Sequence, residues 1–480
     1  MGQFLSSTCG VAVAAGSGEE IMEAIIERCA GIDVHQATVV VCVLIGEAGR
    51  RPRREIRTFP TMTRDLEALR DWLRELGVTH VGMESTGVYG KPVHAVLQGH
   101  FELIVGNARH IRNVPGRKTD VKDAEWIADL VRHGLIRPSF VPPPPICELR
   151  DLIRLRRSVS EALTTERNRT LKLLETANIK LASVATEVFG VSGMAMLRAL
   201  VANTATPAEM ADLAKGKLRR KLEPLALALE GRLTDHHRFV LDFHLRRMEA
   251  IEADLRTLDA RIGEKAEPFG AQRRLLQQIP GVDALIAVTI IAEIGIDMTV
   301  FGNAQRLAAW AGVCPGNFES AGKQKSAATR KGNLHPKTAL VTAAVCGTRK
   351  KGSYYKDKYR RLRARRDRMR ALMAIAHKIL IAVFHLLAEG VPFRELGEAF
   401  LDHPTDVGKR SVALLLALFG DPLGDGELAH GLALHRKLRT PVDEIVPDVT
   451  VALANAGLRR IRRQQGPAEI GLDLEIELVE

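Results

Sequence analysis

The sequence predicts an α/β domain followed by an all-α region, and three observations support this fold class. Short segments rich in Val and Ile alternate with amphipathic segments from Arg28 to about residue 139. Beyond the run VPPPP at 141–145, long charged segments carry apolar residues every three or four positions, the spacing of helices. The proline run can continue neither a helix nor a central strand, so we place a domain boundary there.

The chain carries a surplus of positive charge. Its 480 residues include 69 Lys and Arg against 57 Asp and Glu, a net charge of +12. Such a surplus indicates a polyanionic partner, namely DNA, RNA or an anionic membrane. We expect no membrane span, because we find no apolar run of that length, and no signal peptide, because a basic leader is lacking. The six scattered cysteines form no CxxC pair, which indicates buried or incidental thiols in a reducing cytosol.

The α/β domain is predicted at residues 29–145, after a flexible tail at 1–28. Its expected strands lie in CAGIDV, TVVVCVLI, RREIRTFP, THVGMEST and FELIVGN, with a turn from Gly46 to Gly49. Its expected helices are TRDLEALRDWLRELG, YGKPVHAVLQG and KTDVKDAEWIADLVRHG. Thr63 is the expected N-cap of the first helix, and Gly77 its stop.

The all-α region is predicted to contain three parts. Residues 146–268 hold two long helices with apolar seams, which predict an antiparallel coiled-coil arm or a dimer contact, or else an ordinary bundle inside one globule. Residues 269–395 form a second helical domain. Residues 396–480 carry no recognisable motif and form a C-terminal extension of unknown role.

Four carboxylates are candidates for a metal site. Asp33 lies in the first strand and Glu84 at the end of the fourth, so both are expected at one edge of the sheet. Asp120 and Asp123 are three residues apart on a predicted helix and share a face. Four clustered carboxylates need a cation, and Mg²⁺ fits oxygen ligands. Two such ions about 3.5–4 Å apart would support phosphodiester displacement.

Each acid alone would more simply be a solvated charge or a helix cap. Together, strand Asp, strand Glu and helical DxxD in this order resemble a ribonuclease-H-like, RuvC-like nuclease core. The basic neighbours Arg117, Lys118 and Lys122 could face phosphates or be solvated.

A second candidate site is the segment NFESAGKQKSAATRKGN, rich in Gly, Ser and basic residues between two helices. Glycines there could let backbone approach a ligand closely, and positive charge comes from Lys323, Lys325, Arg330 and Lys331. A serine in such a segment can contact phosphate or act as a nucleophile. The residues alone favour a basic loop that contacts DNA.

Two further features suggest nucleic-acid contact. The run at 349–370 holds twelve Lys and Arg, including Lys350, Lys351, Arg360 and Arg361, with interleaved tyrosines that could stack on bases. The alternative is a solvated helix face. The segment IPGVDALIAVTIIAEIG resembles a helix-hairpin-helix, in which Asp283 replaces the usual second glycine. DNA contact and simple helix packing stay equally open for it.

The chain resembles transposases of the insertion sequence one-ten family, related to Piv-type DNA invertases. The resemblance covers about residues 29–395 and rests on GIDVH, ESTGVYG, GRKTDVKDAEWIADLVRHGLI, LLQQIPGV, LAAWAGVCPGN and ESAGKQKSAATRKGN. It implies a DEDD RuvC-like domain with Asp33, Glu84, Asp120 and Asp123, a coiled coil, and a transposase domain at 269–395 with a catalytic serine. That serine falls on Ser320, with Ser326 as the nearest competitor.

The resemblance also implies a mechanism and partners. Ser320 would attack a DNA phosphate and hold a phosphoserine linkage, while the DEDD site with Mg²⁺ assists cleavage and strand transfer. The element would leave as a circle and insert at a short target, guided by a structured RNA. The protein would act as a dimer to tetramer with composite active sites, in the bacterial cytoplasm at the nucleoid.

Three other functions remain as alternatives. A metal-dependent nuclease or junction resolvase would use the acids without covalent serine chemistry. A sugar-kinase-like or actin-like ATPase also begins with a GID strand, but we find no glycine-rich phosphate loop. A catalytically dead DNA-binding relic is disfavoured because all four acids and the serine are present.

Overall fold

The computed structural model describes residues 24–85, 87–114, 123–316, 318–320, 323–326, 328–397, 458–462 and 475–478. The chain divides into two compact units, Met1–Pro142 and Pro143–Glu480. Four of the residues predicted to form the sites lie outside the described residues: Arg117, Lys118, Asp120 and Lys122.

The first unit is built on a five-stranded mixed sheet. Its strands are β1 (Arg28–Val34), β2 (Thr38–Ile45), β3 (Arg53–Pro60), β4 (His80–Glu84) and β5 (Glu102–Gly106). Their order across the sheet is β3-β2-β1-β4-β5. The first three strands are antiparallel neighbours, whereas β4 runs parallel to β1 and β5 parallel to β4.

Helices cover both faces of this sheet. They are α1 (Thr63–Glu75), α2 (Gly90–Leu97), α3 (Ala108–Asn113) and α4 (Asp123–Arg132). Ile32 and Met83 point to the face where Leu69 of α1 is buried. Gly31 and Gly82 point to the opposite face, where an added Cβ would lie 2.2 Å from the backbone nitrogen of Ala128 and 2.3 Å from the side chain of Val131, respectively. The two glycines therefore let α4 pack directly on the sheet.

Local details depart from the sequence prediction at two points. The prediction of Thr63 as an N-cap is wrong, because it is the first helical residue and Met62 occupies the N-cap position in extended conformation. Helix α3 was not predicted. Gly77 ends α1 with a positive φ of 66°, as expected of a helix stop.

Burial raises the pKa of Cys29 and Cys42 to about 12, which makes these thiols inert.

A long antiparallel helix pair opens the second unit. Helix α5 (Pro144–Thr176) begins inside the proline run, with prolines in its first turn, where the missing N–H groups cost no helix bond. It packs along α10 (Asp235–Ala266). The ion pairs Glu148–Lys265, Arg156–Asp259 and Arg167–Glu252 fix the antiparallel direction.

A helical core lies at the far end of this pair. It contains α6 (Leu181–Val184), α7 (Val191–Ala202), α8 (Pro207–Asp212), a 3₁₀ helix (Gly216–Lys221) and α9 (Leu222–Leu229). Leu163 and Leu174 of α5 and Leu241 and Leu245 of α10 are buried in the same core. The two long helices are therefore joined by a packed tip.

The rest of the second unit is a helical core interrupted by one hairpin. Its elements are α11 (Gly270–Leu276), α12 (Ala284–Ile294), α13 (Ala304–Trp310), β6 (Phe318–Ser320), β7 (Lys323–Ser326), α14 (Leu334–Gly347), α15 (Tyr354–Arg363) and α16 (Arg368–Glu389), with short 3₁₀ helices at Glu267–Phe269 and Thr299–Phe301. In the C-terminal extension, β8 (Leu458–Arg462) and β9 (Glu475–Leu478) pair antiparallel.

Helix α16 shows that one apolar run does reach the length of a membrane span, contrary to the expectation from the sequence. By length and composition alone it could cross a membrane, and within the described part of the chain it is the one helix of this kind. Its residues Ile375, Ile379 and Val383 are fully buried, and it contacts α13 and α14. These contacts are those of the central helix of a protein core.

Candidate active site

The first candidate site lies at one edge of the sheet in the first unit. Ile32 and Met83 are directly paired on the parallel strands β1 and β4, so Asp33 and Glu84 follow side by side at the carboxyl ends of these strands. Because side chains alternate along a strand, both acids point to the face that α4 covers. Strand register thus brings two of the predicted acids together.

Helix α4 brings a third acid to this edge. Helix α4 runs antiparallel to β1. Gly31 lies against the carbonyl of Ala124. Cys29, two residues earlier on β1, donates from Sγ to the carbonyl of Ala128, which is later on α4. The first residue of α4, Asp123, therefore lies toward the edge where β1 ends. The positive end of the helix dipole stabilises carboxylates in this position. We call Asp33, Glu84 and Asp123 the acidic edge.

The acidic edge offers carboxylate oxygens, the donor atoms that hard divalent cations prefer. Asp33 and Glu84 are partly buried, and Asp123 is exposed. The Oδ2 atom of Asp33 lies 3.1 Å from Nε2 of His35. Sequence reasoning missed this histidine, although its position two residues after Asp33 in GIDVH was a signal.

Within the described residues no group of three or more His, Cys, Asp or Glu is close enough to hold a metal, and the fourth predicted acid, Asp120, lies outside them.

The second candidate site is a β-hairpin in the second unit. Ser320 pairs with Lys323 across β6 and β7. The pairing continues outward, because Gly316 donates to the carbonyl of Ala328 and Arg330 to the carbonyl of Cys314. The expectation of a loop is therefore wrong. We call residues 314–330 the serine hairpin. Ser320 ends its first strand, and Ser326 ends its second.

Glycines close the base of the serine hairpin. A Cβ on Gly332 would lie 2.4 Å from the backbone nitrogen of Gly312, and a Cβ on Gly312 would lie 2.8 Å from the carbonyl oxygen of Arg330. Gly312 also has a positive φ of 68°. The sequence predicts that glycines of this segment approach a ligand, but at Gly332 the group that lies close is the backbone of Gly312. This contact holds the two ends of the segment together.

A buried carboxylate that the sequence did not single out lies below this base. Glu293 on α12 is fully buried and accepts two hydrogen bonds of 2.8 Å from Arg154 and one of 2.7 Å from Asn333. Burial by itself raises the pKa of Glu293, but the hydrogen bonds and charges of Arg154, Asn333 and Arg150 outweigh it and lower the pKa below its usual value. Glu293 is therefore an anion that holds the fold.

The predicted basic contacts differ in their surroundings. Arg330, Lys331, Lys350 and Lys351 are exposed. Lys323 and Lys325 lie on β7. Arg360 and Arg361 instead form ion pairs of 2.9 Å and 2.8 Å with the carboxylate of Asp357, which is 1% exposed. One positive charge of this triad is thus cancelled inside the protein.

The interleaved tyrosines are partly structural. Tyr355 is buried and stacks on Phe393, so its ring does not present a free face to bases. Burial raises the pKa of both Tyr354 and Tyr355, which disfavours either as a nucleophile.

The helix-hairpin-helix candidate is packed against protein. A Cβ on Gly281 in its turn would lie 2.1 Å from the carbonyl of Ala343 on α14. Asp283 caps α12 by accepting from the backbone N–H of Ile286. These contacts favour the helix-packing interpretation of this segment.

Comparison with known proteins identifies the class. A DEDD-type transposase model for IS110 elements matches residues 30–179, which include the acidic edge. A second model, described as Transposase IS116/IS110/IS902 family, matches residues 273–360, which include the serine hairpin. No curated protein matches the chain. The matched regions define an enzyme that acts on DNA as a transposase.

The chain belongs to the IS110 family of transposases. Membership of a transposase family implies that the protein binds DNA. Transposase domains of the DEDD type usually use divalent metal ions.

Proposed function

We propose that the protein excises an insertion sequence and inserts it at a specific target, using a carboxylate-bound divalent cation and a serine nucleophile. The observation that carries the proposal is the register of β1 and β4, which sets Asp33 beside Glu84. The first turn of α4 lies toward the same edge of the sheet. The sheet order β3-β2-β1-β4-β5 supports an RNase-H-like, RuvC-like interpretation of the first unit.

The acids are proposed to act as one set. Asp33, Glu84, Asp120 and Asp123 would hold Mg²⁺, as one ion or two, through hard oxygen donors. The bound cation would supply charge stabilisation to the phosphate oxygens during displacement. His35, 3.1 Å from Asp33, would orient that carboxylate toward the ligand side of the edge.

Ser320 is proposed as the nucleophile. Its hydroxyl oxygen attacks a DNA phosphorus and loses its proton, the bond from phosphorus to the DNA oxygen breaks, and that oxygen leaves with a proton. A hydroxyl of the second DNA strand then reverses these steps and releases the serine. The exchange conserves one phosphodiester bond, so strand transfer needs no external energy source.

Nucleic-acid recognition and assembly complete the proposal. The net charge of +12 and the exposed cations Arg330, Lys331, Lys350 and Lys351 support binding of DNA ends and of a structured guide RNA. A homo-oligomer, from dimer to tetramer, would bring together the two element ends and the target.

The Ser320→Ala variant tests the serine chemistry. Wild-type protein with cleavable DNA is expected to give a protein–DNA adduct stable to denaturant, and Ser320→Ala is expected to give none while still binding DNA. The matched control is Ser326→Ala, which alters the other strand of the same hairpin and should keep the adduct. Full excision by Ser320→Ala would contradict the proposal.

The second candidate is a RuvC-like nuclease or junction resolvase without covalent serine chemistry. The acidic edge alone would support it. It predicts Mg²⁺-dependent cutting that persists in Ser320→Ala and yields no adduct in wild-type protein.

A further inference from the structure

The base of the serine hairpin is tied to a buried anion. Glu293 lies near the end of α12, with a side chain that is 0% exposed. Its two oxygens accept one hydrogen bond each, both of 2.8 Å, from Nε and Nη2 of Arg154 on α5. Its Oε2 atom also accepts from Nδ2 of Asn333, at 2.7 Å. The carboxylate thus joins three separate segments of the second unit.

Asn333 is the joint between the serine hairpin and α14. It directly follows Gly332, which fits against Gly312 at the base of the hairpin. Its Oδ1 accepts from the backbone N–H of His335, which caps α14. The two ends of its side-chain amide are therefore used for different purposes, one for the helix cap and one for Glu293.

Glu293 is not placed to exchange a proton. Both of its oxygens are bonded to Arg154, and Arg150 donates 2.9 Å and 2.7 Å hydrogen bonds to the carbonyls of Ala292 and Glu293 at the same helix end. An anion surrounded in this way keeps its charge, and the directions of its hydrogen bonds are fixed. Its effect on chemistry must pass through the groups that it orients.

We propose that Glu293 is a positioning residue for strand transfer, acting through Asn333 to hold the serine hairpin in one orientation. The inference rests on the proposed role of Ser320, which lies on the first strand of that hairpin. A nucleophile must approach phosphorus within a narrow range of distance and angle, so a small rotation at the hairpin base moves Ser320 out of line.

The Asn333→Asp variant tests the link while keeping the helix cap. The introduced carboxylate retains the oxygen that accepts from His335 but lacks the amide that donates to Glu293, and it sets two carboxylates against each other. We expect the rate of adduct formation at saturating DNA to fall by about tenfold to a hundredfold. DNA affinity should stay within about twofold of wild type, because the exposed cations that hold phosphates are unchanged.

A reciprocal variant distinguishes this link from general stability. In the double variant Glu293→Gln with Asn333→Asp, the two carboxylates no longer repel each other and the introduced amide at position 293 can donate to the introduced carboxylate at position 333, although Nη2 of Arg154 loses the oxygen that accepts from it. We expect this double variant to recover part of the rate that Asn333→Asp alone loses. A wild-type rate in Asn333→Asp, or no recovery in the double variant, would overturn the proposal.

Hydrogen exchange gives a readout independent of activity. The amides of Gly316 and Arg330, which pair across the hairpin, should exchange faster in Asn333→Asp than in wild type. Unchanged exchange would overturn the anchoring role. Faster exchange with an unchanged rate at saturating DNA would overturn the positioning role. If wild-type protein forms no adduct, the serine chemistry fails, and exchange still decides whether Glu293 anchors the hairpin.

Glu166→Gln is the matched control. Glu166 on α5 has a side chain that is 3% exposed and accepts a 2.7 Å hydrogen bond from Arg169. Its other oxygen lies 2.8 Å from Nδ1 of His244 on α10. Its loss removes a buried anion of the same kind away from the serine hairpin. We expect lower stability, with hairpin exchange and adduct rate unchanged.

Discussion

A carboxylate that holds a fold together and one that binds a cation need different surroundings. Glu293 and Asp357 are buried and paired with arginines, which occupy their carboxylate oxygens and leave little room for another ligand. Asp33 is 19% exposed, with a histidine at 3.1 Å. Asp33 therefore keeps access to solvent at the end of its strand, as a metal ligand must before it binds.

Replacement of Glu84 by Gln should separate chemistry from folding. The amide keeps the size of the side chain but loses the charge that a cation needs, so Mg²⁺-dependent cleavage should fall by more than the roughly 10–100-fold cost of changing a ligand's outer partner. The measurement is the rate of DNA cleavage across a Mg²⁺ titration.

The matched control is Glu102→Gln. Glu102 begins β5 at the opposite end of the sheet and pairs with His80 at 3.0 Å. Cleavage should be unchanged in this variant. Equal loss in both variants would mean that Glu84 acts through stability alone.

At the scale of elements, close backbone contact positions both candidate sites. Gly31 and Gly82 let α4 lie on the sheet, and Gly312 and Gly332 close the base of the serine hairpin. Asp33 and Glu84 lie two residues after Gly31 and Gly82, respectively, and Ser320 lies on the hairpin whose base Gly312 and Gly332 close. The sites are therefore positioned by main chain as much as by side chains.

The Gly31→Ala variant tests the contact with α4. Its Cβ would lie 2.2 Å from the nitrogen of Ala128 and 2.4 Å from the carbonyl oxygen of Ala124, so the helix must shift. We expect a loss of unfolding free energy of at least about 1–3 kcal/mol, measured by urea titration. Cleavage should fall as well, because Asp123 moves with the helix.

Gly263→Ala provides the comparison at a helical glycine. Apart from its chain neighbours and the nearby backbone of α10 itself, no described atom lies within 4 Å of the added Cβ. The change should raise stability by up to about 1 kcal/mol, because Ala favours helix more than Gly does. A loss of stability similar to that of Gly31→Ala would show that steric contact is not the cause.

For the molecule as a whole, the sequence predicted the elements of the first unit better than those of the second. Strands β1 and β2 follow from Val and Ile density, β3 to β5 follow as short segments between helices and turns, and the acids at strand ends follow from their order along the chain. The serine hairpin could not be predicted, since its pairing depends on Gly312 meeting Gly332 twenty residues away. Glu293 could not be singled out either, because its partners come from α5 and the start of α14.

The salt dependence of DNA binding should report how many cations are available. Lys350→Gln with Lys351→Gln should make the slope of log K against log salt less steep by about 1.8, or about 0.9 for each phosphate that is no longer neutralised. The triad variant Asp357→Asn, Arg360→Gln and Arg361→Gln should change the slope by only about 0.9, because one arginine is neutralised already. A change of about 1.8 would mean that DNA opens the ion pairs.

Asp357 thus sets a limit on how the basic run can be used. Small ions condensed on DNA are released only by charges that reach the phosphates, and a buried carboxylate retains one arginine as its own counterion. Part of the positive charge of the basic run is therefore neutralised by Asp357 inside the protein and is not available to DNA phosphates. We therefore expect the run to bind DNA nonspecifically more weakly than its twelve cations alone would allow, and each stay at a wrong position to be shorter.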